Sequence, residues 1–280
     1  MKKQTKKNIR KLIRITKELF KELISYRATG IVLLIVLALI IIAVIISAVS
    51  GSKKEEEIQP TTVSTAASTA LHTSYKISDV PVISQDVLKA GCEIYACTML
   101  LQYWNFDIDE IEFADNYLIT KPVYYGYGGE LYGPDMNCAY AGDVYTGYGI
   151  NAPAMAKCMN NFIKTTKSEL KAYPLSNISL EDLCEEYILN DIPVMVWETT
   201  YMDEPYVKAS WIVDYVDKNA KYEIGDTVSW MQNEHCMVLV GFDEKNYYFC
   251  DSVAGKLTSY ERSVSEERYS QIGMQAIVIK

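Results

Sequence analysis

Gly91–Leu101 reads GCEIYACTMLL, and this stretch decides how the rest of the chain is interpreted. A glycine that permits a sharp turn precedes an apolar, helix-favouring run, so we predict a helix with Cys92 in its first turn. Unpaired backbone N–H groups and the positive end of the helix dipole favour an anion at that position. We therefore expect a lowered pKa for the Cys92 thiol, as a nucleophile requires, although a cysteine that only packs is the simpler alternative.

Residues 31–49, IVLLIVLALIIIAVIISAV, form an uncharged apolar run that is long enough to cross a bilayer of about 30 Å as a helix. The long basic lead before it favours a retained transmembrane helix over a cleaved signal peptide. Residues 1–30 carry 10 Lys and Arg against 2 Glu, a net charge of +8, so the total of −9 leaves −17 for the remainder. Because basic residues beside a span stay in the cytoplasm, we predict a single-pass cell-membrane protein with a cytoplasmic N-terminus and an extracellular C-terminal domain.

These features divide the chain into four parts. Residues 1–30 are a basic amphipathic segment that either lies on the inner leaflet or acts only as a topology signal. Residues 31–49 are the predicted transmembrane helix and residues 50–74 a polar linker. Residues 75–280 form the folded extracellular domain, whose negative charge argues against nucleic acid as a partner because it cannot neutralise phosphates.

In the folded domain, helical patterns come first and strand patterns last, which predicts an α+β fold with a C-terminal antiparallel sheet. We expect a short strand over Asp79–Gln85, just before the Cys92 helix. The segment 121–149 is dense in Tyr and Gly. It is either an ordered excursion that lines a cleft or a surface loop without a role.

Two strand patterns near the C-terminus, His235–Phe242 and Tyr247–Asp251, are joined by a short polar turn and predict a hairpin. His235 begins the first strand and Asp251 ends the second, so both lie at the open end of the hairpin. If His235 and Asp251 share one face of the hairpin, Cys236 and Cys250 share the opposite face. There the two cysteines form either a cross-strand disulfide or two buried thiols. Two other residues could orient His235. Asp251 could only form a turn, in which case Asp243 or Glu234 would lie beside the histidine.

An imidazole oriented by a carboxylate and facing a thiolate is the general arrangement for nucleophilic catalysis. The chain contains seven cysteines, an odd number that leaves at least one thiol free outside the cell. The other histidine, His72, lies in the polar linker and is assigned no role. No cluster has the spacing of metal ligands, so neither a metal nor a cofactor is expected.

Several separated motifs, in this order, resemble one family: DVPVISQ, GCE, GYGINAP, IPVMVW, TVSWMQNEHCMVLVGFDEKNYYFCDS and IGMQAIVI. The chain is similar to papain-like cysteine peptidases, in the branch related to the double-glycine leader peptidases of bacteriocin export, here as a membrane-anchored bacterial form. The resemblance implies a papain-like α+β fold with a helical N-terminal half. It also implies that Cys92 attacks the substrate carbonyl, His235 accepts the thiol proton, Asp251 orients His235, and Gln85 donates to the oxyanion.

The chain departs from the family at two places. It has Cys250-Asp251-Ser252 where the family often has Asn-Asp-Pro, and the Tyr- and Gly-rich segment has no equivalent in the leader peptidases. We expect a peptide or protein substrate, contacted by aromatic and amide side chains. These are Tyr125, Tyr127, Trp230 and Asn233.

Two other functions fit the same residues. An acyl transferase would use the same cysteine, histidine and aspartate, with an amine in place of water. A catalytically inactive binding module would instead use the Tyr-rich region, residues 124–148.

Overall fold

The computed structural model describes residues 73–280 of the chain. The basic segment, the predicted transmembrane helix at 31–49 and nearly all of the predicted linker lie outside the described residues. Within residues 73–280, no helix is both long and apolar enough to cross a membrane.

Five α-helices occur in the described part of the chain, and capping side chains mark two of their starts. The Asp109 carboxylate accepts the Glu112 N–H at 2.7 Å, and the Ser179 hydroxyl accepts the Asp182 N–H at 3.0 Å. The helices are α1 (Cys92–Tyr103), α2 (Glu110–Asn116), α3 (Ala152–Ile163), α4 (Leu180–Glu186) and α5 (Arg262–Gln271).

The strands of the described residues fall into three sheets. They are β1 (Tyr75–Lys76), β2 (Thr120–Lys121), β3 (Tyr124–Tyr125), β4 (Leu131–Pro134), β5 (Tyr140–Ala141), β6 (Ala172–Ser176), β7 (Val194–Thr199), β8 (Tyr206–Tyr215), β9 (Thr227–Gln232), β10 (Glu234–Phe242), β11 (Asn246–Asp251), β12 (Lys256–Glu261) and β13 (Gln275–Ile279). The main sheet is antiparallel, in the order β12-β11-β10-β7-β13-β6, with β1 paired to β10.

The main sheet is covered on both faces, which explains why β10 is apolar at almost every position. Alternate side chains of a strand point to opposite faces. Cys236 and Val238 pack in a core cluster that also contains α1 and α3. Met237 and Leu239 pack in a second cluster with α4 and Tyr269 of α5. The prediction of an α+β domain with a C-terminal antiparallel sheet is therefore confirmed.

The Tyr- and Gly-rich segment 121–149 is ordered and contributes to both smaller sheets. One is a four-stranded sheet in the order β3-β4-β8-β9, in which β4 and β8 run parallel; the other pairs β2 with β5. The sequence patterns did not predict these sheets, because most of their strands from this segment are only two residues long.

The predicted strand over Asp79–Gln85 is wrong. These residues have an irregular conformation in which Asp79 adopts a φ of +66° and Pro81 offers no N–H for a ladder. The segment is held instead by single bonds, such as that from the Gln85 N–H to the Ser252 carbonyl at 2.8 Å. This bond connects the chain before Cys92 to the chain after Asp251.

Asp135, a fully buried carboxylate, connects the end of β4 to the loop after β8. Its Oδ1 accepts the backbone and side-chain N–H groups of Asn137 at 2.8 and 2.9 Å. Its Oδ2 accepts the N–H groups of Lys221 and Tyr222 at 2.6 and 3.0 Å. Removing the carboxylate would leave these donors without an acceptor inside the protein.

We expect Asp135→Ala to lower the free energy of unfolding of the full-length protein by about 3 kcal/mol, because buried donors to a charged group lose their acceptor. Urea denaturation measures this change. Asp214→Ala is the matched control, since Asp214 is exposed on the same sheet and accepts one bond, from Tyr124. Equal effects of the two substitutions would contradict the assignment of Asp135 as an anchor.

Candidate active site

Cys92 is the first residue of α1, and the chain approaches it through a closely packed turn. A Cβ on Gly91 would lie 2.8 Å from the Leu88 Cβ, so only glycine fits there. The Tyr140 hydroxyl donates a hydrogen bond to the Ala90 carbonyl and holds the turn from the other side. All seven cysteines are free, and Cys92 alone is partly exposed whereas the other six are buried.

The surroundings of the Cys92 thiol disfavour its ionisation. Burial raises the pKa of Cys92 well above its ordinary value, the charges of Glu93 and Glu234 raise it further, and the Cys236 N–H opposes them. The sulfur donates a hydrogen bond to Glu93 Oε2 at 3.3 Å. The expected lowering of the pKa is therefore wrong for this structure, because desolvation and two carboxyl groups outweigh the helix terminus.

Glu93 and Glu234 form a buried acidic pair beside the cysteine. Glu93 is 1% exposed, and its Oε1 accepts the Ile150 N–H at 3.0 Å. Burial raises the pKa of Glu93 to about 7, and burial together with the charge of Glu93 raises the pKa of Glu234 well above its ordinary value. A Cβ on Gly149 would lie 2.7 Å from Glu93 Oε1 and 3.0 Å from Glu234 Oε2, so both side chains flank one point.

The sequence patterns did not assign this acidic pair to the site. No sequence pattern singles out Glu93, and Glu234 is only an alternative to Asp251 as the partner of His235. The signal that was available is the position of each residue, directly beside Cys92 and directly beside His235.

His235 and Asp251 are brought together at the open end of the β10–β11 hairpin. His235 Nε2 lies 2.9 Å from Asp251 Oδ1, and both side chains are 1% exposed. Burial alone would raise the pKa of Asp251, but the bond from His235 and the N–H groups of Ala254 and Val253 outweigh it and lower the pKa. The pair leaves His235 Nδ1 as the second ring nitrogen available for chemistry.

Cys92 and His235 are neighbours but do not share a hydrogen bond among the described residues. The Cys236 N–H acts on the Cys92 sulfur, so the thiol lies beside the strand position next to the histidine. Strand alternation directs the Cys236 side chain toward α1 and the His235 side chain toward the opposite face. There His235 pairs in the β7–β10 ladder with Glu198, a carboxyl group that is fully buried and has no hydrogen-bond partner within residues 73–280.

Gln85 fastens the turn before Cys92. Its Nε2 donates to the carbonyls of Leu88 and Lys89, each at 3.1 Å, and its Oε1 accepts the Ser252 hydroxyl at 3.1 Å. In this arrangement the amide hydrogens are engaged with the chain itself. Gln85 therefore links the turn leading into α1 to the residue after Asp251.

A cavity of about 520 Å³ opens beside the acidic pair, and Glu234 forms part of its wall. Trp230 also lines this cavity, whereas Tyr125 and Tyr127 are exposed and do not. Asn233 lies outside it, with its side-chain amide donating to the Glu204 carbonyl at 3.1 Å. Of the four predicted substrate contacts, the structure thus places only Trp230 at this cavity.

Comparisons with known proteins place these features in a wider group. A family model described as "Peptidase_C39 like family" matches residues 77–277. The "Uncharacterized protein YvpB" of Bacillus subtilis (strain 168) is 25% identical over 190 residues, covering 68% of this chain and 69% of that protein. A crystal structure from Bacillus anthracis, described as a candidate C39-like peptidase, has a similar fold with a TM-score of 0.59 and 24% identity, over 74% of this chain and 97% of that one.

The acidic pair predicts how stability depends on pH. The pKa of Glu93 is about 7 in the folded chain, against an ordinary value of 4.5. Its contribution to stability is therefore complete at a pH below 4.5 and is lost as the pH rises through 7. We expect Glu93→Gln to remove part of this loss, so that the variant gains up to about 3 kcal/mol relative to wild type between pH 5 and pH 8.

Urea denaturation at several pH values measures this difference. Glu112→Gln, on the exposed face of α2, is the control and should follow the wild type. Parallel curves for Glu93→Gln and the wild type would show that Glu93 is not a buried carboxyl group with a raised pKa.

Proposed function

The chain belongs to the Peptidase_C39-like family, and on that premise we propose that it is a cysteine peptidase that hydrolyses peptide bonds through a thioester on Cys92. The observation that carries the proposal is the buried His235–Asp251 pair, together with the one partly exposed thiol, which lies against the next residue of the same strand, Cys236. Burial makes the 2.9 Å contact between Nε2 and Oδ1 strong, so it fixes the imidazole ring and its tautomer.

In the proposed reaction the Cys92 S–H bond breaks and its proton passes to His235 Nδ1 while the sulfur attacks the carbonyl carbon. The tetrahedral intermediate collapses with cleavage of the C–N bond, and His235 gives the proton to the leaving amine. Water, deprotonated by His235, then attacks the thioester and releases the carboxylic acid and the thiol. Asp251 stabilises the imidazolium that forms in each half of the reaction.

The oxyanion requires donors that are already in place. Cys92 is the first helical residue, and its N–H has no acceptor within the helix, so it is the first proposed donor. Gln85 is the second. Its amide would exchange a bond to the Leu88 or Lys89 carbonyl for one to the substrate oxygen. Because His235 points away from α1, proton transfer would also require the Cys92 thiol and His235 Nδ1 to approach each other across the end of β10.

The cavity beside Glu234 is the proposed substrate site; Cys92 and His235 do not line its wall, and Glu234 is the residue at which it borders the acidic pair. Its wall includes Val228–Met231 of β9, and β9 is the last strand of its sheet. An edge strand can pair with an extended peptide through backbone hydrogen bonds, while pockets beside it select side chains. Trp230 supplies an aromatic surface there, and its side chain faces Glu234.

The location of the enzyme is proposed from the sequence. The apolar run 31–49 and the +8 charge before it support a membrane-anchored protein with the peptidase domain outside the cell. The relation to the double-glycine leader branch rests likewise on the sequence motifs. Neither proposal specifies the substrate.

We expect Cys92→Ala to abolish hydrolysis and His235→Ala to lower kcat/KM by at least about 10³-fold, because the nucleophile and its base are lost. Cleavage of a mixture of synthetic peptides by the full-length protein, followed by mass spectrometry, measures both. His72→Ala is the matched control, since it replaces the other histidine of the chain and should leave cleavage unchanged. Cleavage by Cys92→Ala at the wild-type rate would contradict the proposed nucleophile.

Asp251→Asn should reduce kcat by about 10²-fold or more, because an amide cannot hold the same imidazole tautomer or stabilise the imidazolium. Asp243→Asn is the control in the turn of the same hairpin, where the carboxylate accepts the Lys245 and Asn246 N–H groups. If Asp243→Asn lowers kcat and Asp251→Asn does not, the assignment of the orienting carboxylate is wrong.

A further inference from the structure

Glu93 contacts the sulfur that the proposed reaction uses, yet no step of that reaction requires a carboxyl group there. Its Oε2 accepts the Cys92 S–H at 3.3 Å, and it is 1% exposed. Burying a carboxyl group without a cation is unfavourable, and two such groups close together are more so. A glutamate in this place therefore calls for an explanation beyond packing.

The groups that face the acidic pair carry no positive charge. Within residues 73–280, neither Glu93 nor Glu234 forms an ion pair with a lysine, an arginine or a histidine. The titratable neighbours that share their electrostatic environment are Cys92 on α1, Cys236 on β10 and Tyr140 on β5. All three are neutral when protonated, so the pair can lower its own charge only by binding protons.

Two carboxyl groups in such a site do not ionise independently, and the first proton is shared by both. Glu234 Oε1 is buried and has no hydrogen-bond partner within the described residues, while Glu93 Oε1 accepts the Ile150 N–H. That N–H favours the charged form of Glu93. The Trp230 side chain favours the charged form of Glu234, but burial and the charge of Glu93 outweigh it. The shared proton therefore resides mainly on Glu234, which leaves Glu93 as the acceptor for the thiol.

We propose that Glu93 and Glu234 share one proton and that Glu93 keeps the Cys92 sulfur protonated until the pair binds a second proton. The proposal rests on the function proposed for Cys92 and adds a control over its reactivity. With one proton on the pair, a thiolate would face a negative carboxylate at hydrogen-bond distance. With two protons the pair is neutral, and the Glu93 O–H can donate to the sulfur.

Protons balance in each state. In the resting state the S–H proton stays on Cys92, and His235 Nδ1 is free. When Glu93 takes up a proton from solvent, the thiol proton can pass to His235 Nδ1, which produces a thiolate and an imidazolium. The pKa of Glu93, raised by burial to about 7, places this change near neutral pH. Cys92 should thus be more reactive below about pH 7, whereas an isolated thiol becomes more reactive as the pH rises.

The rate of alkylation of Cys92 by iodoacetamide between pH 5 and pH 9 tests the proposal on the full-length protein. At pH 8 we expect Glu93→Gln to react at least tenfold faster than the wild type, because the amide is neutral and can donate to the thiolate. At pH 5.5 the two rates should converge. Glu234→Gln should react at about the wild-type rate at pH 8, because the negative charge that faces the sulfur stays on Glu93.

Three controls make the result specific. Cys92→Ala gives the background from the buried thiols, and Glu112→Gln changes an exposed carboxyl group on α2. The wild-type profile alone should show a break near pH 7, which keeps the test valid if a variant does not fold. Rates for Glu93→Gln equal to or below those of the wild type at every pH, or a wild-type profile without the break, would overturn the proposal.

Alkylation does not require peptide hydrolysis, so the two proposals can fail separately. If the peptides are cleaved equally by the wild type and Cys92→Ala, the proposed function fails while the alkylation profile still reports on Glu93. If hydrolysis depends on Cys92 but Glu93→Gln alkylates like the wild type, only the control by the acidic pair fails.

Discussion

The packing of α1 against β10 is the contact on which the candidate site depends. Because β10 alternates its apolar side chains between two cores, Cys236 and Val238 meet α1, and the start of that helix lies at the open end of the β10–β11 hairpin. The same end of the hairpin holds His235 and Asp251. One contact between a helix and a strand thus places the cysteine of the N-terminal half against the strand that carries the histidine of the C-terminal half.

That contact has an electrostatic consequence. A thiol held against a packed sheet loses water, and desolvation opposes its ionisation more strongly than a helix terminus favours it. The structure accordingly shows Cys92 as a thiol that donates to Glu93. The proposed activity requires an approach between this side chain and His235 Nδ1 and a change in the protonation of its acidic neighbours. The surroundings of the site are held by hydrogen bonds from Gln85, Tyr140 and Asp251.

Local sequence patterns predicted the parts of the fold that local physics determines. The apolar run after Gly91 predicted α1, and the strand patterns at His235–Phe242 and Tyr247–Asp251 predicted β10 and β11. The pairing of His235 with Asp251 could be predicted because a hairpin fixes the register of its two ends. The irregular course of Asp79–Gln85 and the sheet containing β8 could not, since each depends on contacts with distant residues.

The electrostatics of the site were also beyond local patterns. The sequence places Glu93 beside Cys92, but it does not show that Glu234 and Gly149 close around the same point or that the pair lacks a cation. The resemblance to the family implies that Gln85 is an oxyanion donor, but it does not show that the Gln85 amide donates to the carbonyls of Leu88 and Lys89 in the folded chain.

The most direct test of the central claim is to trap the covalent intermediate. The full-length protein is mixed with a cleaved peptide, quenched in acid within milliseconds to seconds, and analysed by mass spectrometry. We predict an acyl adduct on Cys92 that neutral hydroxylamine removes, and no adduct in His235→Ala. An adduct on another residue, or peptide products formed by a protein that lacks Cys92, would contradict the account.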